Sequence, residues 1–280
     1  MKNRVFTVAI ILVFAAGLSL LLYPTVSSYY NAWLQSQIIV DYAEKVDQLE
    51  NEAYKALWEE AELYNAALAQ NPNAFALPEE MAELYPTMLQ TSASSVMAYV
   101  EIPSIGVTLP IAHGTEEDTL QKVVGHLEWS SLPIGGESTH CVISGHRGLP
   151  SSELFTNIDH LETGDVFYIH VLGQTLEYLV DNIIVVEPYD FSPLAIEEGK
   201  DYVTLLTCTP YGINSHRLLV RGVRAGTVTE KENLDLQIRN EVTPMDRGVL
   251  VSVVLTALAL LAFGITAITK GRKGPKHEKK

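Results

Sequence analysis

Two stretches of the chain carry no charge and show no polar face, Val5 to Tyr23 and Gly248 to Thr269. Each reaches the roughly 20 residues with which a helix spans a bilayer's hydrocarbon layer. A helix on a globular surface would return to polar residues every three or four positions, so both runs predict transmembrane helices. Between them the pattern changes twice. From Thr25 to Asn71 there is no Gly, and apolar residues recur three or four apart at Ile38, Tyr42, Val46, Leu49, Ala53, Leu57, Ala61, Tyr64 and Leu68. That period predicts one long amphipathic helix or two in series, stopped at Asn71-Pro72 because proline cannot continue the ladder.

Residues 72 to about 95 are irregular, and such a long connection beside a compact domain is expected to be functional, often as a lid. From Val96 to Thr229 the period becomes two. Short β-branched or aromatic runs at Met97–Ile102, Val107–Ala112, Thr139–Ser144, Val166–Val171, Thr175–Val186, Tyr202–Cys208 and Leu218–Val223 are punctuated by Gly, Pro, Asn and Asp. These predict a mainly β domain, a sandwich or closed barrel, with short helices at Glu116–Val123 and Ser151–Ile158. The chain therefore divides into an N-terminal transmembrane signal-anchor (1–24), a helical segment (25–71), a lid or linker (72–95) and a β domain (96–229). A linker (230–247), a C-terminal transmembrane helix (248–269) and a basic tail (270–280) complete it.

Charge orients this arrangement. Lys2 and Arg4 precede the first apolar run, and Lys270, Arg272, Lys273, Lys276, Lys279 and Lys280 follow the second. Flanking Lys and Arg stay on the cytoplasmic side, so both termini are expected inside and the β domain outside the cell. Only Glu278 offsets the eight basic residues of the tips; with −15 in total, their +7 leaves −22 for the translocated part. A surface that acidic excludes nucleic-acid binding, which needs Lys and Arg on phosphates. A cleaved signal peptide is the other reading of the first run, but it exceeds the usual apolar length and lacks a clean Ala-x-Ala site, so an anchor is expected.

The chain has two cysteines, Cys141 and Cys208. In a secreted domain an even pair first suggests a disulfide. Cys208, however, ends the strand Tyr-Val-Thr-Leu-Leu-Thr-Cys and opens a Pro/Gly loop, where a thiol is accessible. A cysteine nucleophile works as its thiolate and needs a base or cation nearby. His146 ends Thr-His-Cys-Val-Ile-Ser-Gly-His, and alternation puts His140, Val142, Ser144 and His146 on one face and Cys141 on the other. Arg217 opens the strand after the Cys208 loop, so a hairpin would return it to Cys208, where a fixed cation could hold an oxyanion. Arg221, four residues further along, is the weaker candidate. The other histidines share no ligand spacing, and HExxH, CxxC and Gly-rich phosphate loops are absent, so neither a metal nor a cofactor is expected.

These strings, Thr139-His-Cys-Val-Ile-Ser-Gly-His146-Arg-Gly and Leu205-Leu-Thr-Cys208-Thr-Pro-Tyr-Gly-Ile-Asn-Ser-His-Arg217-Leu-Leu-Val, resemble those of the sortases, most closely the pilus-building class C. The resemblance runs from about Val96 to Gly226, and the helical prelude and second apolar run fit that class. It implies a sortase-type β-barrel in which Cys208, His146 and Arg217 are catalytic. Cys208 would cleave a Leu-Pro-x-Thr-Gly-type sorting signal after threonine through a thioester and pass it to a lysine of another pilin, without a cofactor. Class C members close the site with a lid bearing Asp and an aromatic residue. Here the region reads Asn71-Pro-Asn73-Ala-Phe75, so Asn73 and Phe75 are the lid candidates, with an amide in place of the carboxylate. Two other readings remain at this point. One is a sortase attaching proteins to the peptidoglycan cross-bridge; the other is a non-catalytic membrane-tethered barrel with Cys141 and Cys208 bridged.

Overall fold

The computed structural model describes residues 2–71, 73–91 and 96–228. Helix α1 (Lys2–Asp47) runs from the first apolar stretch straight through Pro24 and into the amphipathic segment. From Val8 onward it is long and apolar enough to cross a membrane, and side chains such as Leu12, Val13, Leu20 and Leu21 are exposed. The second apolar run, 248–269, lies outside the described residues. A compact unit begins at Tyr30.

Within that unit, α1 breaks after Asp47 and α2 (Asn51–Ala69) follows, so the amphipathic pattern resolves into two helices in series. The apolar stripe of α2 is used for packing: Ala61, Tyr64 and Leu68 join the main core with Tyr85, Met88 and Leu89. The end of α1 packs Ile39 and Tyr42 on Val96 and Tyr99. The Tyr42 hydroxyl donates to the Met97 carbonyl and accepts from the Leu172 amide, both at 2.9 Å.

The β domain is a closed barrel. Its strands are β1 (Val96–Ile102), β2 (Val107–His113), β3 (Val124–His126), β4 (Thr139–Ser144), β5 (Val166–Val171), β6 (Gln174–Val186), β7 (Asp201–Thr209) and β8 (His216–Val228). Around the barrel they follow the order β1-β2-β3-β4-β7-β8-β6-β5, which leaves no open sheet edge. Inward residues such as Val100, Ile143, Phe167, Tyr178, Leu205 and Val220 fill the interior. Closure brings β4 beside β7 in parallel, from Thr139↔Asp201 to Ser144↔Leu206, while β7 and β8 form an antiparallel hairpin.

Three sequence expectations are corrected. Ser151–Ile158 is not a helix but a series of turns ending in a 3-10 turn at Ile158–His160; Leu154 takes φ +39° there, and Phe155 is fully buried. The helix expected at Glu116–Val123 is only α4 (Glu117–Leu120), because Val124–His126 leaves it to form β3. Residues 72–95 are not wholly irregular: α3 (Glu79–Leu84) and a 3-10 turn at Tyr85–Thr87 occur there. That turn buries Tyr85, whose hydroxyl lies 2.9 Å from His126 Nδ1.

Candidate active site

The site lies at the ends of three neighbouring strands. In the hairpin, Cys208 is paired directly with Arg217, and partners in an antiparallel ladder project to the same side within roughly 5 Å. The β4–β7 register, carried two residues past Ser144↔Leu206, sets His146 level with Cys208. The backbone holds that extension, since Gly145 N–H donates to Leu206 O at 3.0 Å and the Thr207 hydroxyl donates to Gly145 O at 2.7 Å. Glycine is required at 145: a Cβ there would sit 2.7 Å from the Phe155 ring. Phe155 N–H in turn donates to His146 O at 3.2 Å.

Alternation sorts the two thiols as the sequence predicts. Cys141 is 2 % exposed in the barrel core, Cys208 is half-buried on the outer face, and both are free, so the disulfide reading is overturned. Burial pushes the Cys141 thiol well above the ordinary thiol range, which makes it inert as a nucleophile.

His146 Nε2 is buried without a hydrogen-bond partner, 3.5 Å from Glu117 Oε2 at the start of α4. That is beyond hydrogen-bond length, so the nitrogen keeps its donor or acceptor capacity for a reacting atom. Arg217 Nη1 donates to the Asn214 and His216 carbonyls at 3.3 and 3.1 Å. Those two bonds fix the guanidinium, and among the described residues it has no carboxylate partner. Arg221 is fully engaged by contrast. It makes a bidentate pair with Asp181 (3.1 and 2.8 Å), lies 3.5 Å from Glu197 and covers the Tyr202 ring at 4.1 Å.

Two neighbours carried no signal of their own in the sequence. Arg147 pairs with Asp159 and donates to Thr209 Oγ1 at 3.1 Å, tying the loop after His146 to the residue after Cys208. His140 donates through Nδ1 to Ala195 O (3.0 Å), so its Nε2 accepts from the Thr204 hydroxyl at 2.7 Å. Burial lowers its pKa, and the neutral ring braces the β6–β7 loop against the sheet.

On the same outer face as Cys208, Val142, Leu194 and Leu219 form a buried apolar cluster, against which partly buried Leu206, Trp129 and Phe191 pack. Phe75 packs on these two aromatic rings, edge-on to Trp129 at 5.5 Å and tilted on Phe191 at 6.1 Å, and remains 37 % exposed. Asn71 closes the turn beneath it, donating to the Asn73 and Ala76 carbonyls and accepting from Asn73 N–H. Asn73 itself is exposed.

The sortase-domain profile matches residues 100–225. Sortase C1 of Streptococcus agalactiae is 45 % identical and superposes with a TM-score of 0.66, over 68 % of this chain and 98 % of that one. The chain belongs to the sortase family. Sortase C of Streptococcus pneumoniae is 48 % identical (TM-score 0.62, 69 % and 98 % coverage), and its structure was described in connection with pilin substrate specificity. Sortase C of Clostridium perfringens, solved with the C-terminal cell wall sorting motif, is 46 % identical (TM-score 0.60, 68 % and 98 %). Among curated sequences, sortase A of Bacillus anthracis is 25 % identical over 82 % of this chain and 99 % of its own. This sortase is thus a cysteine transpeptidase whose similar structures at about 45 % identity are the class C, pilus-assembling enzymes.

Proposed function

We propose that this sortase uses Cys208, His146 and Arg217 to join a sorting signal of the Leu-Pro-x-Thr-Gly type to a pilin lysine. The observation that carries the reading is the run of adjacent strands, with His146 just past β4, Cys208 on β7 and Arg217 on β8, at one end of the barrel. The Cys208 thiolate attacks the threonine carbonyl carbon, and Arg217 N–H groups stabilise the oxyanion. When the threonine–glycine C–N bond breaks, His146 gives its proton to the departing amine, leaving a thioester. His146 then takes a proton from the incoming lysine ammonium. The freed amine attacks the thioester, the surplus N–H proton of the tetrahedral adduct passes to solvent, Cys208 leaves as thiolate, and an isopeptide bond remains. Partly buried Leu206, Trp129 and Phe191, on the outer face that carries Cys208, offer apolar surface for the signal's leucine and proline.

The acceptor is assigned as a pilin lysine rather than a peptidoglycan cross-bridge amine because the similar structures at about 45 % identity are sortase C enzymes. The enzyme works on the outer face of the cell membrane, held by α1, with both termini and the 270–280 tail in the cytoplasm. The boundaries at 24, 71, 95, 229, 247 and 269 separate anchor, helical prelude, lid, catalytic barrel, linker and second anchor.

Incubation with a sorting-signal peptide is expected to leave the peptide's acyl part on Cys208, seen by intact mass. Iodoacetamide should likewise label one cysteine in the native enzyme and two after denaturation. An adduct on Cys141, or none in wild type and an active Cys208→Ala variant, would sink the assignment. Paired acceptors, a pilin lysine peptide and a cross-bridge peptide, decide the second substrate.

Residues 73–75 serve as the lid in this reading, held by the burial of Phe75 rather than by a carboxylate. Partial burial of one aromatic side chain contributes about 1–2 kcal/mol. Phe75→Ala is therefore expected to raise kcat/KM for a short peptide by about 10-fold. Equal rates would remove the lid role.

A further inference from the structure

Gln35 is a polar side chain where α1 packs on the barrel, only 5 % exposed, and helix docking alone would favour an apolar residue. Its Nε2 donates to the Lys122 carbonyl at 2.6 Å and to the Ser152 hydroxyl at 3.2 Å. One turn earlier, Asn31 Nδ2 donates to Ser151 O at 2.8 Å. These acceptors belong to the two segments that meet at His146. Lys122 closes the turn that begins with Glu117, through Gln121 N–H to Glu117 O and Lys122 N–H to Thr119 O, both at 3.0 Å. Ser151 and Ser152 lie in the loop that leaves His146 and returns to it through the Phe155 N–H···His146 O bond, with Ser152 N–H on Leu149 O at 3.3 Å.

We infer that Gln35, assisted by Asn31, is a positioning residue that locks the His146 loop to the Glu117 turn and so sets where the imidazole stands relative to Cys208. The charged and titratable groups around His146 are Glu117 from α4, Arg147 with Asp159 in its own loop, Cys208 from β7 and Arg217 from β8. Among the described residues none of them bonds α1, so the amides of Gln35 and Asn31 link the helix to the site, and Gln35 alone reaches both segments. Each acceptor is itself stitched into its segment, so losing the amide lets the two segments shift independently. Displacements of about 1 Å in a catalytic group cost up to about 100-fold in rate. The inference rests on the reading of His146 as the acid–base residue.

The test uses the full-length enzyme in detergent and a Leu-Pro-x-Thr-Gly peptide. Gln35→Met keeps length and volume but removes both bonds. Tyr42→Phe, two turns along the same helix, removes the bonds to Met97 and Leu172 and reports what loosened docking alone does. Gln35→Met is expected to lower kcat about 10-fold or more with KM within about 2-fold, while Tyr42→Phe keeps kcat within about 2-fold. An unchanged kcat in Gln35→Met, a change confined to KM, or an equal fall in both variants overturns the inference. Should Gln35→Met melt below the assay temperature, Asn31→Ala carries the test: a fall in kcat supports the inference and an unchanged kcat overturns it. His146→Ala, assayed alongside, separates the two levels. If it stays active, the acid–base reading fails and takes the inference with it; if it is dead while Gln35→Met is normal, the positioning role alone fails.

Discussion

Exchanging Arg217 for lysine is expected to lower kcat/KM on a sorting-signal peptide by about 100- to 1000-fold, whereas Arg221→Lys leaves it within about 3-fold. Both arginines lie on β8, four residues apart and on the same side of the strand, so charge alone does not separate them. Their surroundings do. Arg217 is the register partner of Cys208 and spends one nitrogen on two backbone carbonyls, which leaves a fixed fork of N–H groups for a developing oxyanion. Lysine would supply a point charge on a flexible stem and lose that fork. Arg221 faces Thr204 instead, and Asp181, Glu197 and Tyr202 occupy its guanidinium. Its exchange should lower the melting temperature by a few degrees with little effect on turnover. Steady-state kinetics of the two variants decide the matter, and a larger kinetic loss at Arg221 would reverse the assignment.

Between pH 6.5 and about 4 the enzyme is expected to lose about 3 kcal/mol of folding stability through His126. His126 is fully buried, donating through Nε2 to Ser131 O at 2.8 Å and accepting the Tyr85 hydroxyl on Nδ1 at 2.9 Å. Burial lowers its pKa from 6.5 to about 4. In that window the unfolded chain binds a proton that the folded chain refuses, so stability falls as pH falls and stops falling below about 4. His140, also lowered by burial, acts in the same direction. Asp201 acts oppositely: burial raises its carboxyl pKa above 3.8, so its contribution is lost as pH rises through that range. Urea midpoints measured from pH 7 to 4 should show the decline, and a His126→Gln variant should flatten it. A wild-type midpoint constant over this window would contradict the burial argument.

How much of this could be read from the sequence depended on how far apart the partners lie along the chain. Strand β5 follows the alternation to the residue, because it has one face in the core, whereas β4 keeps its expected bounds although it is buried on both faces. Strand β3, three residues long and ending in a histidine, is too short for a period to show, and it shortened the helix expected before it. The turns at 151–157 carry helix-compatible residues; what unmakes a helix there is Phe155 turning into the core under Gly145. At the site, Cys208 and Arg217 were legible because a hairpin joins them, and His146 because alternation turned it away from Cys141. The contacts of Gln35 with residues 122 and 152 were not legible, since they span 87 and 117 positions and nothing local announces them.

The parallel pairing of β4 with β7 has a consequence for the order of assembly. Cys208 and Arg217 meet when a short hairpin closes, but His146 is 62 positions from Cys208 in the chain and reaches it only when the barrel does. Contacts so distant in sequence form late because their loop-closure entropy must be overcome first. A half-folded chain therefore carries the Cys208 thiol without His146, the proton-transfer partner proposed for it. On the proposed mechanism, reactivity and the finished fold arrive together.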